Sequence, residues 1–273
     1  MRGRRLGIAV AAFALASAGG ATAADAPSRD ISIPGKAYEP ARATVLLGTT
    51  VTWRNGDSLN HTVTADGDAF DSGYLAGGSS FSFTFARQGH YAYHCLIHRF
   101  MKGSIDVFAL VLTGPESPVP VGRQVVVAGL APAGTGSVTL VRVGGGETPR
   151  TVQARPDGSF TVRFRASRPG SFRATVGKAT SPLVKIQVLP AVTTRRVGSS
   201  LVVATEPSLR GARVVLQAYD RDHFAWRTVD RATLGNGSRA RLAIPAARPA
   251  HLRALVRGEA GWADATSRVI ALR

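Results

Sequence analysis

The sequence predicts an all-β fold built from several small sandwiches, on three observations. Apolar and polar residues alternate in short runs, as in Thr50 to Trp53, Phe81 to Phe85, Tyr91 to Cys95, Gln124 to Val127, Ser137 to Val141 and Phe160 to Phe164, which is the period of a strand with one buried face. Turn formers punctuate these runs, with 30 Gly and 15 Pro among 273 residues. No segment holds a helical period over three turns, so helical architectures are set aside. The length suits two or three modules, and a hydrophobic fraction of 44% is too high for a disordered polycation despite a net charge of +17.

The first 23 residues read as an export signal. Arg2, Arg4 and Arg5 precede an apolar run from Leu6 to Ala18, and Ala21-Thr22-Ala23 supplies the small-x-small pattern of a cleavage site. A mature chain beginning near Ala24 and residing in the periplasm, the cell envelope or the medium is expected, with a retained membrane anchor as the alternative.

Charge then divides the chain. From Ala24 to Leu110 there are 7 basic and 8 acidic residues, a net of −1, whereas Val111 to Arg273 holds 24 basic and 9 acidic residues, a net of +15. The basic half carries an internal repeat: Val121-Gly122, Val138 and Leu140 recur as Val197-Gly198, Val214 and Leu216, and Gly158, Arg173 and Val176 recur as Gly237, Arg253 and Val256. Two modules of about 80 residues follow, 111–190 and 191–273, joined near Leu189-Pro190, after a first domain at 24–110. Gly114-Pro115 and Pro118-Val119-Pro120 are expected to form the linker from that first domain. In pattern and length the two modules resemble bacterial immunoglobulin-like domains.

Cys95 is the sole cysteine, which excludes an internal disulfide framework, a cluster held by four thiolates and a zinc ribbon. It stands in Tyr93-His94-Cys95-Leu96-Ile97-His98-Arg99-Phe100-Met101, a C-x2-H-x2-M pattern. A cysteine ending a strand, with His and Met in the next tight loop, presents a thiolate, an imidazole and a thioether to one point. His61, in a polar loop after the strand around Val51 and Trp53, supplies the second imidazole. Two imidazoles and a thiolate with a weak axial thioether suit copper cycling between Cu(I) and Cu(II); zinc is an alternative for which the thioether adds little.

Residues Ile31 to Leu110 resemble a blue copper domain of the plastocyanin, amicyanin and halocyanin group, a cupredoxin. Gly48, Val51, Trp53, Asn55, Asp57, His61, Phe70, Gly73, Phe85, Gly89, Tyr91, Tyr93, Cys95, His98, Met101, Gly103 and Val107 carry the resemblance, and the two residues between His98 and Met101 match the short ligand loop of amicyanin. It implies a Greek-key sandwich, single-electron transfer without enzymatic activity, and one type 1 copper held by His61, Cys95 and His98 with Met101 axial. Arg99 replaces a usual proline, and Thr62 replaces an asparagine whose hydrogen bond between loops the change is expected to weaken. His94, by strand alternation, faces away from Cys95.

The expected role is an exported carrier passing electrons to a redox protein partner, with copper carriage or sequestration, or a subunit of a multi-copper oxidoreductase, as rival readings. The basic half is expected to meet an anionic wall polymer or membrane surface, and export makes nucleic acid an unexpected partner.

Overall fold

The computed structural model describes residues 28–246 and 251–272; the expected export signal at 1–23 lies outside the described residues. They are almost entirely β, and their buried apolar side chains gather into three separate clusters.

The first cluster lies between two four-stranded sheets. Its strands are β1 (Ser28–Gly35), β2 (Ala37–Glu39), β3 (Arg42–Leu46), β4 (Thr50–Asn55), β5 (Thr64–Ala65), β6 (Ser80–Thr84), β7 (Gly89–His94) and β8 (Lys102–Phe108). One sheet runs β2-β1-β4-β6 and the other β3-β8-β7-β5. β1 pairs in parallel with β4 and β3 with β8, while the remaining pairs are antiparallel. Alternation does the sorting: along β4, Val51 and Trp53 point inward while Thr50 and Thr52 cross-link to Thr84 and Ser82 on the outer face. Trp53 is fully buried and sits among Phe70, Phe81 and Tyr93 at ring-centroid distances of 5.5 to 5.8 Å. Each such ring removed from water contributes roughly 1.5–3 kcal/mol.

The second cluster lies among β9 (Val111–Thr113), β10 (Val119–Pro120), β11 (Gln124–Leu130), β12 (Ser137–Val143), β13 (Arg150–Gln153), β14 (Ser159–Arg165), β15 (Gly170–Val176), β16 (Ala179–Thr180), β17 (Val184–Ile186) and β18 (Val188–Leu189). The third lies among β19 (Ala191–Val197), β20 (Ser200–Glu206), β21 (Arg213–Asp220), β22 (Ala225–Thr233), β23 (Arg239–Ala243), β24 (His251–Val256), β25 (Ala265–Thr266) and β26 (Ile270–Ala271). Their sheets repeat one plan. A three-stranded sheet β14-β11-β9 faces β13-β12-β15-β16 with β17 also on β15, and β19-β20-β23 faces β22-β21-β24-β25 with β26 also on β24. The recurring pairs occupy equivalent places. Val138 and Leu140 are buried on β12 as Val214 and Leu216 are on β21, and Gly122 and Gly198 both turn the chain into the following strand at φ of 76° and 59°. Trp262, from the third set, packs against the second core, and the Ala263 N–H donates to the Val188 carbonyl at 3.0 Å.

The expected linker is corrected by the pairing. Val111–Thr113 forms β9 and pairs with β11, β10 pairs with β18, and Leu110 is buried in the second core. Proline there ends strands at a sheet margin, where its missing N–H costs nothing. Only Ala109 and Leu110 stand between β8 and β9.

One close approach matters for the site. Gly103 on β8 lies opposite Tyr93 on β7, and a Cβ at Gly103 would come within 2.2 Å of the Tyr93 ring. Gly103→Ala is therefore expected to destabilise the protein by about 1–3 kcal/mol through overpacking, read as a lower urea midpoint; an unchanged midpoint would show that the ring moves aside freely.

Candidate metal centre

Two loops at one end of the first sandwich build the site. The first leaves β4 and is pinned by Asn55, whose side-chain N–H groups donate to the Leu59 and Leu75 carbonyls at 2.8 Å while its oxygen accepts the Asp57 N–H at 3.0 Å. His61 then bridges to Leu75, with N–H···O bonds in both directions. The second loop is the hairpin from β7 to β8, closed by the Met101 N–H donating to the His98 carbonyl at 2.8 Å and the Cys95 N–H to the Met101 carbonyl at 3.2 Å.

The loops bring His61, Cys95 and His98 together, with one ligand atom from each lying within 4.8 Å of the others. His61 and Cys95 are fully buried and His98 is half-buried. Cys95 Sγ stands 3.9 Å from Nδ1 of His61 and 3.9 Å from Nδ1 of His98. Two donors sharing a first-row ion at about 2.3 Å (thiolate) and 2.0 Å (imidazole) in a trigonal arrangement stand about 3.7 Å apart, so the separations suit a shared ion. Met101 is buried in the same core cluster as Cys95. The set combines soft sulfur with imidazole on the dry side of the sandwich, and its chemistry fits copper.

Electrostatics favour the ligating form of the cysteine. Burial pushes the Cys95 thiol up, but hydrogen bonds outweigh it and bring it down to about 6: the His98 and Thr62 N–H groups donate to Sγ at 3.4 and 3.3 Å, and the two imidazoles flank it. Asp57 accepts from His61 Nε2 at 2.9 Å, and this bond holds its carboxyl below the usual carboxylate range. The same contact orients the His61 ring so that Nδ1 is directed at Cys95.

The expected weakening at Thr62 is not found. Its hydroxyl oxygen accepts the Leu96 N–H at 2.8 Å across the two loops, in a nearly sealed position. The Thr64 hydroxyl stands behind it, 3.0 Å from both the Thr62 hydroxyl oxygen and the Asp71 carboxylate and able to donate to either, and Thr62 accepts the Leu96 N–H with a lone pair. A short hydroxyl thus does the work expected of an amide. Asp57 as partner of His61 was the other feature missed; its signal was the D-x-x-x-H spacing. His94 is turned away from Cys95 and pairs with Asp66 at the surface.

In the metal-free protein the folded thiol titrates below its ordinary value of 9.0, at about 6. The unfolded chain holds the extra proton between those values. This group therefore contributes stability that is complete above the ordinary value and fades as pH falls toward 6. The ultraviolet thiolate absorbance of the metal-free protein is expected to titrate near pH 6, and the unfolding midpoint to fall more from pH 9 to pH 6 than in Cys95→Ser. Titration in the ordinary thiol range would refute the hydrogen-bonded thiolate.

Residues 7–107 match the family described as Cupredoxin-like domain. Plastocyanin of Scenedesmus fuscus is 37% identical over 83 residues, 26% of this chain and 85% of that protein. Amicyanin of Paracoccus denitrificans is 35% identical over 75 residues, 26% of this chain, and the match spans 57% of that relative's length. Among solved structures, a purple cupredoxin from Nitrosopumilus maritimus is 30% identical, with 29% of this chain and 98% of the other covered and a TM-score of 0.28.

Proposed function

The chain belongs to the cupredoxin family, and from that premise we propose that it is an exported electron carrier whose single type 1 copper is held by His61, Cys95 and His98, with Met101 as the weak axial donor. The convergence of two imidazoles on one buried thiolate carries this reading. Bound copper supplies a one-electron couple. The residues do the rest: Asp57, Thr62 and the His98 N–H hold the donors in place whichever oxidation state is present, so little has to move when an electron arrives or leaves.

Electron transfer calls for a partner that docks briefly. His98 is the half-exposed imidazole of the set, and Leu96, Ile97 and Phe100 around it are exposed, Phe100 to 69%. An apolar rim of this kind suits a transient contact with a redox protein. No bond-making step is assigned to the chain. A buried thiolate locked by two N–H donors also favours a permanent metal over exchange with a delivery target.

The basic half is read as two immunoglobulin-like modules, 111–190 and 191–273, that tether the copper domain to anionic material of the envelope. The repeated plan of one three-stranded and one five-stranded sheet supports the first part, and the net charge of +15 the second. Among the described residues no helix is long and apolar enough to cross a membrane.

Two experiments test these statements. Cys95→Ala is expected to abolish the intense thiolate-to-copper absorption and most copper binding, because no other thiol exists; a mutant that stays blue would defeat the assignment. Residues 24–110 expressed alone are expected to fold and take up one copper with the spectrum of the full chain, since that core is separate from the second. A colourless or unfolded fragment would mean that the copper domain depends on the basic half.

A further inference from the structure

Positive charge is not spread evenly over the two repeated sandwiches. Every ion pair of the basic half among the described residues lies on the larger sheets or their loops: Glu147 with Arg142, Arg150 and Arg168, Arg213 with Glu259, Asp220 with Arg227 and His223, and Arg257 with Asp264. The three-stranded sheets have none.

Their outer faces share one device instead. On β14, Arg163 and Arg165 are exposed on the same face, and Arg163 lies opposite the outward-facing Val126 of β11, which is 43% exposed. On β23, Arg239 and Arg241 are exposed on the same face, and Arg241 lies opposite the outward-facing Val202 of β20, with Arg195 on the other side of that valine. Arginines two apart on a strand stand about 6.8 Å from each other, and neighbouring strands about 4.8 Å. No acidic residue stands on the first face among the described residues; on the second, Glu206 lies two residues along β20 from Ala204, the partner of Arg239, and Asp230 accepts the Ala243 N–H at 2.6 Å at the other end of β23, and neither carboxylate forms an ion pair with Arg239 or Arg241. One arginine recurs opposite the equivalent valine, Arg163 at Val126 and Arg241 at Val202, with a second arginine two residues away, Arg165 opposite Gln124 and Arg239 opposite Ala204, while most carboxylates of this half lie on the larger sheets or their loops.

We infer that these two faces, Arg163 with Arg165 and Arg239 with Arg241, are tandem binding sites for a linear phosphodiester polymer. The inference rests on the reading of the basic half as a tether and names the surface that performs it. Guanidinium forks match phosphate oxygens in a bidentate manner, and the valine between them offers an apolar seat for the carbons linking successive phosphates. Two weak sites on one chain gain through effective concentration once a single polymer occupies both. A lipid surface is disfavoured, because neither face presents the exposed aromatic or leucine side chains that insert between headgroups.

The test uses the full mature chain and labelled poly(glycerol phosphate), followed by anisotropy over a salt series, with phosphatidylglycerol vesicles as the lipid comparison. Arg163→Gln with Arg165→Gln, and Arg239→Gln with Arg241→Gln, are expected each to weaken binding at least ~5-fold and flatten the salt dependence, and all four together more than ~10-fold, as lost phosphate contacts require. A control that removes the same charge elsewhere, Arg210→Gln, Arg221→Gln, Arg231→Gln and Arg268→Gln, is expected to cost under ~3-fold. All are exposed side chains, and thermal unfolding confirms that each variant is folded. If the control weakens binding as much as the four face substitutions, the faces are not sites, although the tether stands. If the wild type binds vesicles but not polymer, the phosphodiester assignment is wrong. If it binds neither, the tether reading itself falls.

Discussion

A thiolate buried away from water is the constraint on which the rest of the first sandwich depends. An isolated anion in an apolar core costs several kcal/mol, and Cys95 sits with no exposed surface in the cluster that holds Trp53, Phe85 and Tyr93. That cost is offset at close range. The Thr62 and His98 N–H groups donate to the sulfur, and they come from two loops separated by more than thirty residues. Those loops must therefore be fixed against each other before the ligands can be. Tyr38 donates its hydroxyl to the Thr62 carbonyl at 2.6 Å, Thr62 takes the Leu96 N–H, and Asn55 ties the base of the first loop to Leu59 and Leu75. The sandwich is in this sense a frame for one sulfur atom.

The same frame explains why polarity is graded around the donors. His61 is sealed and has a carboxylate behind it, whereas His98 reaches the surface among apolar side chains. With copper held by these donors, charge on the Asp57 side would favour the oxidised ion, which carries more positive charge, while the apolar His98 side would let a partner approach without stripping water from charged groups. The proposed path for an electron is then the short one, through the half-exposed imidazole.

Much of this was legible because it is local. The C-x2-H-x2-M run fits within one hairpin, so spacing alone places Cys95, His98 and Met101 on the same turn of chain, and alternation along β7 turns His94 outward. His61 lies more than thirty residues upstream, and only the pattern around Trp53 pointed to it. What stayed hidden depended on contacts between distant loops. Thr62 was judged by residue type against asparagine, yet a threonine hydroxyl with Thr64 behind it reaches the same N–H. The stretch from Gly114 to Pro120 has linker composition, but a loop inside a sandwich leaves the same trace in sequence as a linker between domains, and its place between β9, which pairs with β11, and β10, which pairs with β18, distinguishes them.

That correction changes how the halves of the protein relate. A flexible linker would leave the copper domain free to sample the space around its tether, with a reach growing as the square root of linker length. Here two residues separate β8 from β9, and the second of them, Leu110, is buried in the neighbouring core. With Leu110 anchored in that core, Ala109 is the one residue of the junction about which the copper domain can turn. The third sandwich is coupled in turn to the second through Trp262. Charge segregation then acquires a geometric meaning: a near-neutral copper domain is joined with little slack to a strongly basic pair, so material bound by that pair would restrict where the half-exposed His98 can turn. Short junctions of this kind sacrifice reach for orientation, a trade that would suit the proposed carrier.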